Sequence, residues 1–230
     1  MRQYLVTAIV ALVAGFAGAA LWSFSGLGDA NTREYLVANP EILPEMAEAY
    51  QAAQMEERLG SIQSQVTTAF PGAVLGNPDG SKTLVKFTDY ACGYCRASTE
   101  DIDRLVAQDP DLKVVVREYP IFPGSDQAAR MALAAARQGK YPAFYHAMFE
   151  AGSTDEASIL AAAQKAGLDM DQANAFASSE EAARELAQNI GFARELGFSG
   201  TPSWVVNGQL IEGAVGYEQL KSAIDAPQAG

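Results

Sequence analysis

The pattern of apolar and polar positions divides the chain into segments of different kinds. Residues 4–22 are almost wholly apolar, and Arg2 is the single charge before them. Such a run is typical of an export signal, with a small-residue cleavage site at residues 17–19, but its length also suits a membrane anchor of about 20 residues. Both alternatives predict export, and residues 1–22 are therefore assigned to a signal peptide or an anchor.

An amphipathic segment follows a short linker. Residues 23–32 are rich in Gly, Ser, Asp and Asn and predict the linker. Residues 33–70 predict a helical extension, in which Asn39 caps a helix that begins at Pro40. Apolar residues recur there with a four-three-four spacing and one shift of phase: Ile42, Met46, Ala49, Ala53, Leu59, Ile62, Val66 and Ala69. This stripe needs a partner surface, either the chain's own folded domain or the same segment of a second subunit, so the extension is a candidate for homo-oligomerisation.

Short apolar runs rich in β-branched residues begin C-terminal to the extension. Residues 73–75 and 81–88 predict two strands with a turn between them, and residues 112–120 predict a buried third strand. A helical pattern over residues 96–108 joins the second strand to the third. Strand, helix and strand in this order predict a βαβ unit with parallel strands.

The remainder of the chain combines a long helical segment with a final hairpin. Residues 125–196 carry no strand pattern and predict several helices. Residues 201–213 predict two strands joined by an Asn-Gly turn, and residues 216–225 predict a closing helix. The expected fold class is therefore α/β, in a domain over residues 71–230 that contains a helical insertion.

Composition and charge restrict the classes of function. The chain has 230 residues and a hydrophobic content of 49%, which suffice for a large core. Its formal net charge of -12 excludes nucleic acid as a partner. Two cysteines cannot build a disulfide-rich scaffold, and with a single histidine they cannot complete a Cys/His zinc site, so no metal site is expected. That histidine, His146, stands in an aromatic-rich helical pattern, which favours packing over a Cys-His catalytic pair.

The two cysteines are the candidates for chemistry. Cys92 and Cys95 are separated by Gly93 and Tyr94, and they lie between a predicted strand and a predicted helix. Cys92 is therefore expected at a helix N-terminus, where the helix dipole and unpaired N–H groups favour a thiolate. A thiolate is the nucleophile of disulfide exchange, so the position predicts redox chemistry. A passive disulfide or half of a metal site is the alternative for such a pair.

The order of the motifs resembles the thioredoxin superfamily, in which strand, Cys-x-x-Cys and helix are followed by a Thr-Pro pair, a hairpin and a last helix. The helical prefix Asn39–Glu41 and the motifs Asp89–Cys95, Arg117–Pro120 and Gly200–Ser203, together with the helical insertion, are similar to the bacterial DsbA-like and ScsC-like group of exported thiol-disulfide oxidoreductases. The resemblance covers residues 39–225. It implies a thioredoxin fold with a helical insertion and an N-terminal helical extension.

The resemblance also implies roles for individual residues. Cys92 is implied to be the nucleophile and Cys95 the resolving thiol of a mixed disulfide. Pro202 is implied to form a cis peptide bond that faces the cysteines, and Thr201 to offer backbone groups to an extended substrate peptide. No cofactor beyond the redox-active cysteine pair is implied. The implied partners are substrate proteins with thiols or disulfides and a membrane redox protein, and the implied location is the periplasm.

The residues between the cysteines bear on the direction of electron transfer. Gly93 and Tyr94 look like the pair of DsbC-type isomerases and differ from the Pro-His pair of the strong oxidant DsbA. Tyrosine cannot supply the positive charge of a histidine, so we expect weaker stabilisation of the thiolate and a milder potential. The oxidase, isomerase and reductase directions all stay open at this point.

Lys86 departs from the resemblance. Many relatives carry an acidic residue six positions before the first cysteine, where it assists proton transfer from the resolving thiol. A buried lysine at that position needs a partner, and Glu118 on the neighbouring parallel strand is the candidate, as though acid and base had exchanged strands. The alternative is that Lys86 points to solvent as an ordinary surface residue.

A second class of function is a non-enzymatic binding module. A periplasmic holdase, or a carrier whose cysteine pair captures a soft ion such as Cu(I), fits the same motif. The sequence offers no further cysteine and no Met-rich cluster to complete a copper site, which weakens this interpretation.

Overall fold

The structure, a computed structural model, describes residues 2–24 and 27–227 and contains two compact units. The first unit spans residues 1–53 and the second spans residues 54–230. Residues 54–70, which the sequence placed in the helical extension, therefore belong to the second unit.

Helices make up the described part of the first unit. They are α1 (Arg2–Phe24), α2 (Leu27–Ala38) and the beginning of α3 (Leu43–Thr67), with a 3₁₀ turn at Pro40–Ile42 between the last two. The linker expected over residues 23–32 is wrong at residues 23–24, which belong to α1, and from Leu27 onward, where the helix-forming residues that follow extend α2 into it. Residues 25–26 of that linker lie outside the described residues. Within the described ranges, no helix is both long and apolar enough to cross a membrane.

The helix start expected at Asn39 is displaced. Asn39 precedes the 3₁₀ turn, and its side-chain amide donates to the carbonyl oxygen of Tyr35 at 2.7 Å instead of capping the next helix. Pro40 begins the 3₁₀ turn, and α3 begins only at Leu43.

A five-stranded mixed sheet forms the centre of the second unit as described. Its strands are β1 (Val74–Gly76), β2 (Lys82–Thr88), β3 (Leu112–Glu118), β4 (Ser203–Val206) and β5 (Gln209–Glu212), in the spatial order β1-β3-β2-β4-β5. β2 and β3 are parallel, which confirms the predicted βαβ unit, while β1 pairs with β3 in the antiparallel sense. β4 and β5 form the predicted hairpin, and Asn207 and Gly208 have the positive φ angles, 47° and 81°, that a type I′ turn requires.

Helices flank the sheet. α4 (Gly93–Gln108) follows β2, and α10 (Tyr217–Asp225) follows the hairpin. The insertion consists of α5 (Ser125–Arg137), α6 (Tyr141–Ala151), α7 (Glu156–Lys165), α8 (Met170–Ala177) and α9 (Glu180–Leu196). Residues 125–196 are all described and contain no strand, as predicted.

Alternate residues of β2 face two separate cores. Leu84 packs in a core with α4, α10 and most of the insertion, whereas Val85 packs in a second core with α3 and α9. The second half of the amphipathic stripe lies in that second core, since Leu59, Ile62 and Val66 are buried there. Packing on the chain's own domain is therefore confirmed for this half of the stripe. Even-numbered and odd-numbered residues of β2 thus point to different cores, and Lys86 lies on the same face of the strand as Leu84.

Candidate active site

The two cysteines stand at the beginning of α4. Cys92 is the N-cap of the helix, and its Sγ accepts a hydrogen bond from the backbone N–H of Cys95 at 3.4 Å. Cys95 is fully buried, whereas Cys92 keeps 4% of its surface exposed. Both are free thiols in this structure. The predicted position of Cys92 at a helix N-terminus is therefore confirmed, and Cys92 is the less buried of the two cysteines.

The loop before β4 closes the site from the other side. Thr201 and Pro202 are joined by a cis peptide bond, as the resemblance implied. The Sγ of Cys92 donates to the carbonyl oxygen of Thr201 at 3.2 Å, across a separation of 109 positions in the sequence. The site is thus assembled from the start of α4 and the start of the final hairpin.

A buried carboxylate for which the motifs predicted no role joins two loops at the site. Asp89 Oδ1 accepts from the backbone N–H of Ala91 at 2.7 Å. Its Oδ2 accepts from the backbone N–H groups of Ile121 and Phe122 at 2.6 and 2.9 Å, and from the hydroxyl of Ser125 at 2.8 Å. The contact with Ala91 belongs to a common aspartate turn, which the local sequence can predict. The other contacts join residues 32 to 36 positions apart, and the local sequence cannot predict them.

Large apolar side chains are exposed between the cysteines and on the loop that Asp89 holds. Tyr94 is 71% exposed, and Ile121 and Phe122, on the loop that Asp89 holds, are 39% and 44% exposed. Gly93 has open space where a Cβ atom would stand. We call Tyr94, Ile121 and Phe122 the apolar rim; it offers a contact surface to an apolar polypeptide segment.

Lys86 is fully buried next to Cys95, so the solvent-facing alternative is wrong. Its Nζ donates to the backbone oxygen of Cys95 at 3.3 Å and to the hydroxyl of Tyr145 at 2.7 Å. The rings of Tyr145, Phe149 and Trp204 surround the same atom, with centroids at 5.3, 5.5 and 5.4 Å, and we call them the aromatic cage. Cation–π attraction and the two hydrogen bonds offset part of the cost of burying this ammonium group.

Glu118 is also fully buried, but its hydrogen-bond partners are tyrosines. Its Oε1 accepts from the hydroxyls of Tyr90 at 3.0 Å and Tyr141 at 2.6 Å. The pair that the sequence suggested between Lys86 and Glu118 is therefore not formed as a hydrogen-bonded ion pair. The register explains this, because Glu118 lies opposite Thr88 rather than opposite Lys86.

Burial shifts the titration of three groups at the site toward their neutral forms. It lowers the pKa of Lys86 to about 8, although negative charge on Cys95 and Cys92 raises it. It raises the pKa of Glu118 to about 8, although hydrogen bonds from two tyrosines lower it. It also raises the pKa of Cys95 to about 11, against the lowering effect of the Lys86 charge. Lys86 and Cys95 therefore each favour the charged form of the other.

His146 is a half-buried residue of α6 that contacts α4. Its Nε2 is 3.5 Å from Oδ1 of Asp103, and its ring meets that of Tyr145 edge-on with centroids 5.4 Å apart. These contacts agree with the packing interpretation of this histidine. Over residues 2–24 and 27–227, no group of three or more Cys, His, Asp and Glu side chains could hold a metal ion.

Solved structures similar to this chain are thioredoxin-like and thiol-disulfide proteins. A thioredoxin-like oxidoreductase from Silicibacter pomeroyi DSS-3 is 44% identical, with a TM-score of 0.63 over 66% of this chain and 89% of its own. The thiol-disulfide exchange protein alpha-DsbA2 from Wolbachia pipientis is 26% identical, with a TM-score of 0.70 over 76% and 97%. A linker-deletion variant of ScsC from Proteus mirabilis is 26% identical, with a TM-score of 0.71 over 85% and 90%.

Curated relatives are much longer proteins. A Na(+)/H(+) antiporter NhaA from Herminiimonas arsenicoxydans is 28% identical over 159 residues, which is 68% of this chain and 26% of the antiporter. The chain spans about a quarter of the length of the curated relatives it matches.

Two family models match separate parts of the sequence. The model of the N-terminal domain of copper resistance protein ScsC matches residues 32–57, in the helical extension. The model of the DSBA-like thioredoxin domain matches residues 83–225, which is more than half of the chain and includes both cysteines and the cis-proline. The chain therefore belongs to the DSBA-like thioredoxin domain family of thiol-disulfide oxidoreductases.

Proposed function

We propose that this chain is an exported protein thiol-disulfide oxidoreductase whose chemistry resides in Cys92 and Cys95. The observation that carries the proposal is the 3.2 Å contact between Cys92 Sγ, at the N-cap of α4, and the carbonyl oxygen of Thr201. A sulfur at a helix N-terminus beside loop backbone groups is an arrangement suited to exchange with an extended peptide. In this proposal the cysteine pair carries the electrons and no further cofactor takes part.

The proposed exchange proceeds through a mixed disulfide. In the oxidising direction a substrate thiolate attacks Cys92 Sγ, the Cys92–Cys95 bond breaks, and its electron pair goes to Cys95. A second substrate thiolate then attacks the substrate sulfur of the mixed disulfide and Cys92 leaves as a thiolate, so that the substrate is oxidised and the enzyme pair is reduced. The reverse sequence reduces a substrate disulfide. Because Cys95 is fully buried, Cys92 is the sulfur that meets the substrate.

Unfolded or partly folded proteins are the substrates that we propose. The apolar rim of Tyr94, Ile121 and Phe122 can contact apolar residues that flank a substrate cysteine, and folded proteins keep such residues buried. Small thiols make no use of this surface. The partners proposed are therefore proteins that carry thiols or disulfides.

The direction of transfer that we favour is shuffling of disulfides at a moderate potential. Gly93 and Tyr94 place no positive charge between the cysteines, which supports a milder oxidant. An isomerase depends on a membrane redox partner that keeps the pair reduced, whereas an oxidase depends on one that keeps it oxidised. Thiol trapping in cells separates the two: a pair that is mostly dithiol supports the isomerase, and a pair that is mostly disulfide supports the oxidase.

The redox function is tested by insulin reduction and by refolding of scrambled ribonuclease. We expect both activities in the wild type and neither in Cys92→Ser. Equal activity of wild type and variant would reject the redox function and favour the holdase or copper-binding alternative. Titration with Cu(I) then decides between those two, since only a copper module binds the ion stoichiometrically through the cysteine pair.

Export to the periplasm is part of the proposal. The apolar run at residues 4–22 and the small residues at 17–19 support a leader, and disulfide exchange has substrates in an oxidising compartment. Cell fractionation and N-terminal sequencing of the mature protein test this. A full-length protein found only in the cytoplasm would contradict it.

Self-association through residues 33–70 is the last part of the proposal. Within the first unit an open groove of about 460 Å³ has a largely apolar lining: Leu36, Val37, Ile42, Leu43 and Met46. Leu43 and Met46 are exposed, so a second copy of the segment could cover them. We expect sedimentation to give an oligomeric mass for the full chain and a monomeric mass for the double variant Leu43→Glu/Met46→Glu. A wild-type monomer would contradict self-association.

A further inference from the structure

The buried cation of Lys86 has no part in the exchange steps described so far. Cys95 of α4 and Tyr145 of α6 accept its two hydrogen bonds, and the aromatic cage encloses it from α6 and β4. One acceptor is a backbone oxygen and the other a hydroxyl, so neither of these two is a carboxylate. The ammonium group is therefore held without a hydrogen-bonded anion, and its field remains available to another negative charge nearby.

We propose that Lys86 is a positioning residue of the exchange reaction, which holds a positive charge beside Cys95 and stabilises the thiolate that forms there. This inference rests on the proposed function. When an incoming thiolate forms a bond to Cys92 Sγ, the Cys92–Cys95 bond breaks and its electron pair goes to Cys95 Sγ. The negative charge then develops next to the caged cation, and a better stabilised leaving group departs faster.

The charges that face Lys86 support this assignment. Cys95, Cys92 and Asp103 face it from α4, and Glu118 faces it from β3. Cys95 has the largest electrostatic effect of the four on Lys86. Glu118 is the most buried acid near it, but that carboxyl is already bound by two tyrosines, and burial raises its pKa to about 8.

Two hydroxyl groups complete the surroundings of Cys95. The buried side-chain oxygens of Thr88 and Thr201 have no hydrogen-bond partner in the described chain, and both lower the pKa of the Cys95 thiol. Burial raises the pKa of that thiol, while the charge of Lys86 and these two hydroxyls lower it. The cation and the hydroxyls thus act in the same direction on the same sulfur.

The test is the rate at which glutathione opens the Cys92–Cys95 disulfide in the full chain, expressed per glutathione thiolate and measured from about pH 6 to about pH 9.5. The wild-type rate is expected to fall as the pH rises through the pKa of Lys86, which is about 8 in the dithiol form and lower in the disulfide, because neither cysteine can then be an anion that raises it. At pH values at which Lys86 is protonated, the rate of Lys86→Met is expected to be about tenfold lower than that of the wild type. The rate of this variant is also expected not to decrease with rising pH.

Two control variants separate Lys86 from its neighbours. Lys82→Met removes the same charge from the same strand, but Lys82 is partly exposed and pairs with Asp109 at 2.8 Å, so the wild-type rate and profile are expected. Glu118→Gln removes the other buried group that titrates near pH 8 and is expected to keep the fall. The inference would be overturned if the rate no longer decreased with rising pH in Glu118→Gln but still decreased in Lys86→Met.

The outcomes also separate this inference from the proposed function. A Lys86→Met protein that reacts with glutathione at the wild-type rate and with the wild-type profile overturns the role of Lys86 and leaves the redox function intact. A wild-type disulfide that does not react with glutathione overturns both. Should Lys86→Met fail to fold, Tyr145→Phe keeps the cation and the ring but removes one acceptor from Nζ. Because the lost acceptor stabilises the ammonium form, the rate is then expected to decrease at a lower pH than in the wild type. A pH profile of the rate equal to that of the wild type overturns the inference.

Discussion

The carboxylate of Asp89 and the hydroxyl of Ser125 lie 2.8 Å apart, and this hydrogen bond joins the turn before Cys92 to the first residue of the helical insertion. The same Oδ2 atom also accepts from two backbone N–H groups. Asparagine at this position would place an NH₂ group, itself a donor, against donors. We therefore predict that Asp89→Asn lowers the free energy of unfolding by about 2–4 kcal/mol, as measured by urea denaturation.

The control for this prediction is Asp79→Asn in an exposed turn. Its effect on the free energy of unfolding is expected to stay within about 0.5 kcal/mol. An equal loss in the two variants would show that the buried network of Asp89 has no special contribution.

A positive charge between the cysteines is expected to make the pair more oxidising. Tyr94 is exposed in the first turn of α4, so histidine fits there without repacking. A protonated imidazole at this position stabilises a thiolate at Cys92 and hence the reduced form. We predict that Tyr94→His raises the reduction potential by about 10–40 mV in equilibrium titration with glutathione, where 30 mV corresponds to about 1.4 kcal/mol. Tyr94→Phe is the neutral control, and a similar rise in that variant would refute the electrostatic explanation.

The apolar rim is expected to act on protein substrates alone. Phe122→Ser removes a large exposed ring from the loop that Asp89 holds, and Phe122 belongs to neither core. We predict that the KM for a reduced unfolded protein rises about 3- to 10-fold, while the rate with glutathione is unchanged. Leu160→Ser, an exposed apolar residue on α7, serves as the matched control and should alter neither quantity. Equal effects of Phe122→Ser on both substrates would place the residue in the chemistry rather than in recognition.

The raised pKa of Glu118 predicts how stability depends on pH. A carboxyl whose pKa rises from 4.5 to about 8 on folding binds more protons in the folded state, so its contribution is present at low pH and is lost as the pH rises through about 8. We predict that the wild type loses about 1–3 kcal/mol of unfolding free energy between about pH 5 and about pH 8. Glu118→Gln keeps an oxygen for both tyrosine hydroxyls but cannot ionise, so its decline should be smaller. Urea denaturation of both proteins at both pH values measures the unfolding free energies. An equal decline in the wild type and in Glu118→Gln would contradict the raised pKa.

Local patterns predicted the parts of the site whose neighbours are close in sequence. The position of Cys92 follows from a strand and a helix that meet at one point, and the hairpin follows from the Asn207-Gly208 turn. Lys86 shows where this reasoning ends. Its acceptor on Tyr145 is 59 positions away, and the rotation of α6 about its own axis decides which aromatic side chains reach β2. The sequence predicted that this aromatic helix packs, but not that it packs around a cation.

The N-terminal half of the chain shows a second limit. A segment rich in small polar residues predicted a linker over residues 23–32, yet α2 begins at Leu27. Helix formation is cooperative, so a strong helical segment incorporates weaker residues at its edge when nothing in them forbids it. The polar composition alone therefore did not fix the boundary.

The aromatic cage has a consequence for how this protein can change. Two of its rings come from the insertion and the third from the final hairpin, while the charge that they enclose comes from the central sheet. A chimera that receives its insertion from a relative with other residues at positions 145 and 149 would leave Lys86 buried without its cage. Replacing Lys86 by an acid would in turn aim a carboxylate at the negative faces of three rings. The lysine and its three rings are therefore expected to be inherited together, as one unit spread over three separate parts of the chain.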